Sequence, residues 1–474
     1  MARFDGSSTD DSLEGSYSAD EIYGYGGNDT LLGLGGEDSI YGGDGNDRIT
    51  SGWSDDGSAL HGDAGDDVIF AQSSHDRAYG GDGADRIFIG FSTHFVNGVM
   101  ASGGDGDDYF RISSTNEADI YGGSGTDTLE VFWTGPGAIT VREDGGAWVI
   151  RQQPFDFATA PYEITATSVE NLILYASELA DDIVTGAGND VIYARGGANI
   201  VDAGAGDDLV HYWANVANTL DGGEGQDTLD ARLTLTPYFV VGHDGAVDDG
   251  NLSLIRGFEQ FEVHGDRGAD FISLGGQDDR GWGGRNADTL FGNDGDDVLR
   301  GQFGDDVLYG GAGQDRLRAG RGDDLLFGGD GDDRLFAGRG ATTLYGGEGE
   351  DRIVLKDGSG LLYGDAGADR FHIRPFVNMT APATIGDFTS GEDRLYLRGD
   401  LFHNMPPAGR LDEDLLVFGG VAGGQAQLFL TYDAETDLTS LWWDADGETT
   451  DHAPIRFLHF AGEPGLTHED IWIQ

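Results

Sequence analysis

The chain has 474 residues, with 86 acidic side chains against 27 basic ones and a formal charge of −59. A surface of that sign repels nucleic acid and anionic lipid. Cysteine is absent, which excludes disulfide staples, thiol catalysis and Cys-ligated zinc.

High charge with modest hydrophobicity ordinarily marks disorder, yet the 82 glycines fall in register and 11% of residues are aromatic. From residue 1 to 130 the chain repeats, with interruptions, a nine-residue unit of the form G-G-x-G-x-D-x-U-x, where U is a large aliphatic residue. The sixth-position aspartates Asp20, Asp29, Asp38 and Asp47 lie nine residues apart. The register then slips, resumes at Asp67, Asp76 and Asp85, and leaves Asp108 and Asp127 in more isolated units beside loops such as residues 90–99.

Residues 131–178 lose the unit and alternate as strands, Ala138 to Arg142 and Ala147 to Ile150 around an Asp-Gly-Gly turn, which predicts a hairpin-rich insertion. The unit returns over 179–230 with Asp181, Asp190, Asp208 and Asp227, Asn199 replacing one Asp. A second strand-rich insertion follows over 231–264, Leu252 to Ile255 included.

From Gly265 to His372 the unit runs twelve times without an insertion, with Asp in the sixth place of ten units. Gly328-Gly329-Asp330-Gly331-Asp332-Asp333-Arg334-Leu335-Phe336 shows the logic of each place. Glycines open the left-handed backbone of a tight turn, the Asp offers a carboxylate to a cation held by oxygens, and the last three residues form a short strand. The middle strand residue points opposite to its neighbours. Leu290, Leu299, Leu308, Leu317, Leu326, Leu335, Leu344 and Ile353 are therefore the expected core.

This unit resembles the RTX (repeats-in-toxin, haemolysin-type) family. The resemblance implies an all-β fold: parallel β-roll segments with strand-rich insertions and a C-terminal β cap. Two nonamers make one turn, so loops eighteen residues apart stack and hold Ca²⁺ between them. The expected ligands are Asp20, Asp29, Asp38, Asp47, Asp67, Asp85, Asp190, Asp208, Asp270, Asp279, Asp288, Asp297, Asp306, Asp315, Asp324, Asp333, Asp351 and Asp369. About a dozen Ca²⁺ ions are expected, because sixth-position pairs eighteen apart occur twelve times, and twelve ions would bring −59 to −35. Gaps are expected at Thr342 and Gly360, which stand at sixth positions, and at Gln277 and Asn286, which replace the fourth Gly.

Over 373–474 the pattern changes. Ile385 to Leu395 and Leu441 to Gly447 resemble the cap that follows the roll in serralysin-type secreted proteases, and an open solenoid end needs such a cover. Asp444, Asp446 and Asp451 suggest either a separate calcium loop or a plain hairpin turn. The tail His468 to Gln474 resembles the uncleaved terminus read by a type I secretion apparatus. The opening Met1 to Ser7 lacks the apolar core of a cleaved signal peptide, and no stretch is long enough to span a bilayer.

Alternate nonamers of the third run fall on opposite sheets, and the two faces differ. One carries Phe291, Tyr309, Phe327, Tyr345 and Tyr363, an apolar face that stacks on itself or is covered by an insertion, the cap or another copy. The other carries Arg280, Arg316, Arg334, Arg352 and Arg370.

No HExxH, G-x-S-x-G or GxxxxGK[ST] occurs. The expected function is a secreted, non-enzymatic calcium-binding protein of a Gram-negative bacterium: a cell-surface, S-layer-like or matrix component, or an adhesin, that folds on Ca²⁺ after export. Its expected partners are other copies of itself or a cell-surface polysaccharide or protein, with no nucleic acid and no membrane insertion. The alternatives are a polysaccharide-acting enzyme with its site in the insertions, or a stand-alone RTX module of an enzyme or toxin system.

Overall fold

The computed structural model describes residues 1–52, 57–90, 98–113, 117–133, 137–144, 147–152, 163–234, 238–241, 246–251, 253–356, 359–374, 382–398, 407–419, 426–445 and 454–474. The turn at 145–146, most of the loop at 90–99, Leu252, and Asp446, Gly447 and Asp451 of the suggested C-terminal calcium loop lie outside these. The six segments gather into two compact units, Met1–Asp230 with Asn251–Phe258, and Ala231–Gly250 with Glu259–Gln474.

In the second unit each nonamer folds as a turn and then a strand. Strand Leu325–Asp330 pairs in parallel with Val307–Ala312 and Ala341–Glu348, Leu326 opposite Leu308 and Leu344. The intervening nonamers lie on the other sheet, where Arg316–Arg321 pairs with Arg334–Ala337 and Leu317 faces Leu335. Two nonamers thus make one eighteen-residue turn, and the fold is the expected parallel β-roll. The eight expected core residues, Leu290 through Ile353, are fully buried. Period-2 alternation sets this arrangement, since burying the middle residue of a three-residue strand turns both neighbours outward.

The first unit keeps the same register through coils of unequal length. Ile40 pairs with Leu60, Ile87 with Phe110 and Phe110 with Leu129, so turns of 20, 23 and 19 residues stack like turns of eighteen. The segment read as an insertion is woven into the sheets. Ile139–Asp144 and Ala147–Gln152 form the expected antiparallel hairpin, and Glu163–Thr167 pairs antiparallel with Ala147–Gln152 and parallel with Ala118–Ser124. Asn171–Tyr175 sits parallel between Thr128–Phe132 and Val191–Arg195. Among the described residues of 131–178, Ala147–Gln152 is the one strand that runs against the roll.

The last hundred residues continue both sheets of the second unit. Arg394–Leu397 pairs with Arg370–Ile373 and with Ile471–Ile473. Ala383–Ile385 pairs with Ser359–Ala366 and with Ile455–Ala461, which joins an antiparallel sheet with Leu438–Asp444 and Gln427–Asp433. Phe388 packs between Phe371 and Phe460, ring centroids 6.0 and 5.4 Å away. The last rung is thereby covered by apolar side chains.

Phe291, Tyr309, Phe327, Tyr345 and Tyr363 form a continuous stack, with centroids 4.6 to 5.1 Å apart and planes within 4° to 7°. Each ring covers the faces of the next, so much of the expected apolar patch is covered from within. Phe271 and Leu361 remain as exposed apolar residues of that face, at 37% and 43%.

Candidate cation sites

The sixth-position aspartates are buried although they sit in surface turns; Asp297, Asp315, Asp333 and Asp351 are each at most 1% exposed. Two kinds of contact tie their loops together. Along the ladders the Oδ1 of an Asp accepts a hydrogen bond from the backbone N–H of the sixth residue one turn earlier: Asp315 N–H donates to Asp333 at 2.7 Å, Asp333 N–H to Asp351 at 2.8 Å, Asp351 N–H to Asp369 at 2.9 Å. The fifth residue works in the opposite direction. Asp332 Oδ1 accepts from Glu350 N–H one turn later at 2.8 Å, and Asp296 does the same for Gln314. Adjacent side chains thus stitch each loop to both neighbours.

In one column of the second unit the sixth-position ladder runs without a break from Asp279 through Asp297, Asp315, Asp333, Asp351 and Asp369 to Asp393. The other column runs from Asp270 through Asp288 and Asp306 to Asp324. It gives way at Thr342 and Gly360, which offer no carboxylate. In the first unit a ladder runs from Asp29 through Asp47, Asp67, Asp85 and Asp108 to Asp127. Asp190, Asp208 and Asp227 form another, while Asp20 and Asp38 lead on to Ser58.

The second carboxylate oxygen divides the loops into two classes. In Asp29, Asp38, Asp47, Asp67, Asp85, Asp190, Asp208, Asp288, Asp297, Asp306, Asp315, Asp324, Asp333 and Asp351 the Oδ2 is buried with no hydrogen-bond partner. The same holds for Asp108 and Asp127, which nine-residue spacing had set apart and the structure brings into the ladder. In Asp20, Asp270 and Asp279, also expected as ligands, that oxygen accepts from the N–H four residues earlier, of Ser16, Asp266 and Gly275, at 2.7, 3.0 and 2.7 Å. In Asp20 and Asp279 the other oxygen also accepts a backbone N–H, so these two carboxylates are spent within the protein, whereas Asp270 keeps its Oδ1 buried without a partner. Asp181 likewise accepts from the N–H four residues earlier, of Ser177.

The backbone decides the class. In the Asp333 loop the second and fourth residues are left-handed, Gly329 at φ 124° and Gly331 at φ 125°, and no N–H donates to the Oδ2. Left-handed backbone costs a residue with a Cβ roughly 1–2 kcal/mol. In the Asp20, Asp181, Asp270 and Asp279 loops neither place is left-handed. Gln277 accordingly goes with a closed loop, whereas Asn286 takes φ 68° and leaves Asp288 open, contrary to the gap expected there. The first glycine has another role: a Cβ on Gly328 would collide with Asp333 Oδ2 and with the carbonyl oxygen of Gly346, one turn on.

A buried carboxylate oxygen with no donor is costly unless a cation meets it. Burial, reinforced by the like charges of Asp315 and Asp351, pushes Asp333 up to about 8. Burial with Asp315 and Asp279 nearby does the same to Asp297. The capped Asp20, despite its burial, is held below the usual carboxylate range by hydrogen bonds from Ser16 and Ala2. Among the described residues no three His, Cys, Asp or Glu side chains converge. The remaining ligands of a cation must therefore be backbone carbonyls, the oxygen-only donor set that suits Ca²⁺. The open aspartates would hold it, and its charge would replace the protons that burial otherwise demands.

These raised values give the metal-free roll a defined pH dependence. A carboxyl raised in the folded state binds its proton more tightly there, so the metal-free fold is favoured at low pH and loses stability as pH rises through about 6 to 8. Ca²⁺ competes with the same protons. The Ca²⁺ midpoint of folding, followed by circular dichroism, is expected to fall as pH drops from 8 to 6, because protons and Ca²⁺ each favour the roll over an unfolded chain whose carboxylates stay ionised. A midpoint that stays constant or rises would contradict the raised, buried state of these carboxylates.

A family model described as RTX calcium-binding nonapeptide repeat (4 copies) matches residues 5–40, 26–57, 60–90, 175–210, 217–233, 262–290, 282–317, 309–344, 327–362 and 345–372, more than half of the chain. No curated protein matches it.

Proposed function

The chain belongs to the RTX calcium-binding nonapeptide repeat family, and on that premise we propose that it is an exported, non-enzymatic structural protein of the cell surface or extracellular matrix. Repeats of this family bind Ca²⁺. In the proposed sequence of events the chain leaves the cell through a type I secretion apparatus. It meets millimolar Ca²⁺ outside, fills about a dozen sites and folds into rolls that serve as surface-layer or adhesive elements.

The observation that supports this reading best is the unbroken column from Asp297 to Asp351, whose buried unpartnered oxygens recur at every turn. A single Ca²⁺-dependent catalytic centre needs one such place. A periodic series makes Ca²⁺ a construction material.

Electron microscopy and light scattering at low and millimolar Ca²⁺ test the role. Calcium-dependent ordered assemblies, or calcium-dependent coating of cells, are the expected result. Folded, discrete monomers at all Ca²⁺ concentrations that coat no cell surface would overturn it.

A further inference from the structure

The arginine face of the second unit is in register turn by turn. Arg316, Arg334, Arg352, Arg370 and Arg394 are successive partners on one sheet, so their Cα atoms follow the strand spacing of roughly 4.8 Å. Five aligned guanidinium groups are unexpected in a chain of charge −59. Part of the column is already engaged: Arg316 lies over the Phe336 ring, Arg370 pairs with Glu350 at 2.8 Å, and Arg394 lies 3.5 Å from Asp470. Arg334 and Arg352 make no ion pair among the described residues.

A cavity of about 390 Å³ opens where these two arginines meet the rung of Arg370, lined also by His372, Tyr396 and Gln474. His372 is only 6% exposed, and its Nδ1 has no hydrogen-bond partner. Burial, with Arg352 adding to it, pushes this imidazole down to about 4, so it is neutral at physiological pH. The acids around the cavity have other tasks. Glu350 is held by Arg370, Asp332 Oδ1 accepts from Glu350 N–H, and Asp333 belongs to the cation ladder.

We propose that Arg334, Arg352, Arg370 and His372 form a binding site for the carboxylate groups of an acidic polysaccharide. The proposal rests on the extracellular role inferred above and names its partner. Planar guanidinium forks suit carboxylates, and the His372, Tyr396 and Gln474 side chains add hydrogen-bonding groups for neighbouring hydroxyls. A thin polymer reaches the cavity between the acidic loops. A second copy of this chain would bring more acidic loops against them, with a charge of about −35 even when a dozen Ca²⁺ are bound to its −59.

Calorimetric titration of the Ca²⁺-loaded full chain with short hyaluronan oligosaccharides, dextran of equal size serving as the neutral control, tests the site. Saturable binding of hyaluronan and not dextran is expected. It should weaken at least roughly tenfold in R334Q/R352Q and remain in R300Q/R318Q, a pair on the same sheet outside the cavity. Arg352→Lys, which keeps the charge and loses the fork, should weaken binding by a few fold even if the double variant fails to fold. No binding, equal binding of dextran, or binding unchanged in folded R334Q/R352Q and in Arg352→Lys overturns the site. Light scattering on the same samples separates the two ideas, because assembly that persists in a non-binding variant leaves the structural role intact.

Discussion

In EGTA at neutral pH the chain is expected to lose most of its β-sheet circular dichroism, and to regain it on addition of millimolar Ca²⁺. The reason is the stacking of like charges. Asp29, Asp47, Asp67, Asp85 and Asp108 follow one another in a single ladder of the first unit, and each holds a buried oxygen that meets no donor. Burial and the charges of neighbouring aspartates raise Asp67 to about 8. Ionising such a column at pH 7.5 without a counter-ion opposes folding at every turn, whereas the unfolded chain keeps its carboxylates in water. The binding energy of each cation is in this way delivered as folding energy. Far-UV circular dichroism across a Ca²⁺ titration checks it. A native β-signal in EGTA at pH 7.5 would show that the strand core stands alone, and the cation columns would lose their role in folding.

The parts of this design that were legible in the sequence are those governed by period. Leu290 through Ile353 declared themselves as core because the nine-residue spacing puts a large aliphatic in the middle of every three-residue strand, the place that points opposite to its neighbours. Spacing alone could not show that Asp108 and Asp127 belong to the Asp29 ladder, since they follow turns of 23 and 19 residues. A coil can take extra residues and keep register as long as its inward-facing strand residues are retained. The fifth-position ladder was hidden because the motif leaves that place open, although Asn28, Asn46, Asp66, Asp296 and Asp332 recur there. The capped loops were hidden for a different reason: Asp at the sixth place is common to both classes. The signal lies in the backbone at the second and fourth places, where Ser16 and Ser18 or Asp266 accompany a closed loop, whereas an open loop holds a left-handed residue, most often Gly but also Tyr25, Leu34, Asp63, Asn293 or Gln302. Glycine alone is insufficient, as Gly275 shows by donating to Asp279.

That distinction leads to a paired expectation for Asp333→Asn and Asp279→Asn. Both side chains retain an oxygen able to accept the ladder hydrogen bond, from Asp315 N–H and Phe261 N–H respectively. They differ in what the lost oxygen did. At Asp333 it is the buried, unpartnered Oδ2, and an amide N–H₂ there would present donors to a cation. Asp333→Asn should therefore lose one or two bound Ca²⁺, because each loop lies between two neighbours, and raise the Ca²⁺ midpoint of folding by roughly tenfold or more. At Asp279 the lost oxygen accepts from Gly275 N–H. Asp279→Asn should leave the Ca²⁺ count unchanged and cost about 1–3 kcal/mol of stability at saturating Ca²⁺, the penalty for a broken buried hydrogen bond. Equilibrium dialysis gives the count, and urea unfolding at saturating Ca²⁺ gives the stability. Equal Ca²⁺ loss in the two variants, or a larger loss at Asp279, would mean that loop closure does not decide which carboxylates hold metal.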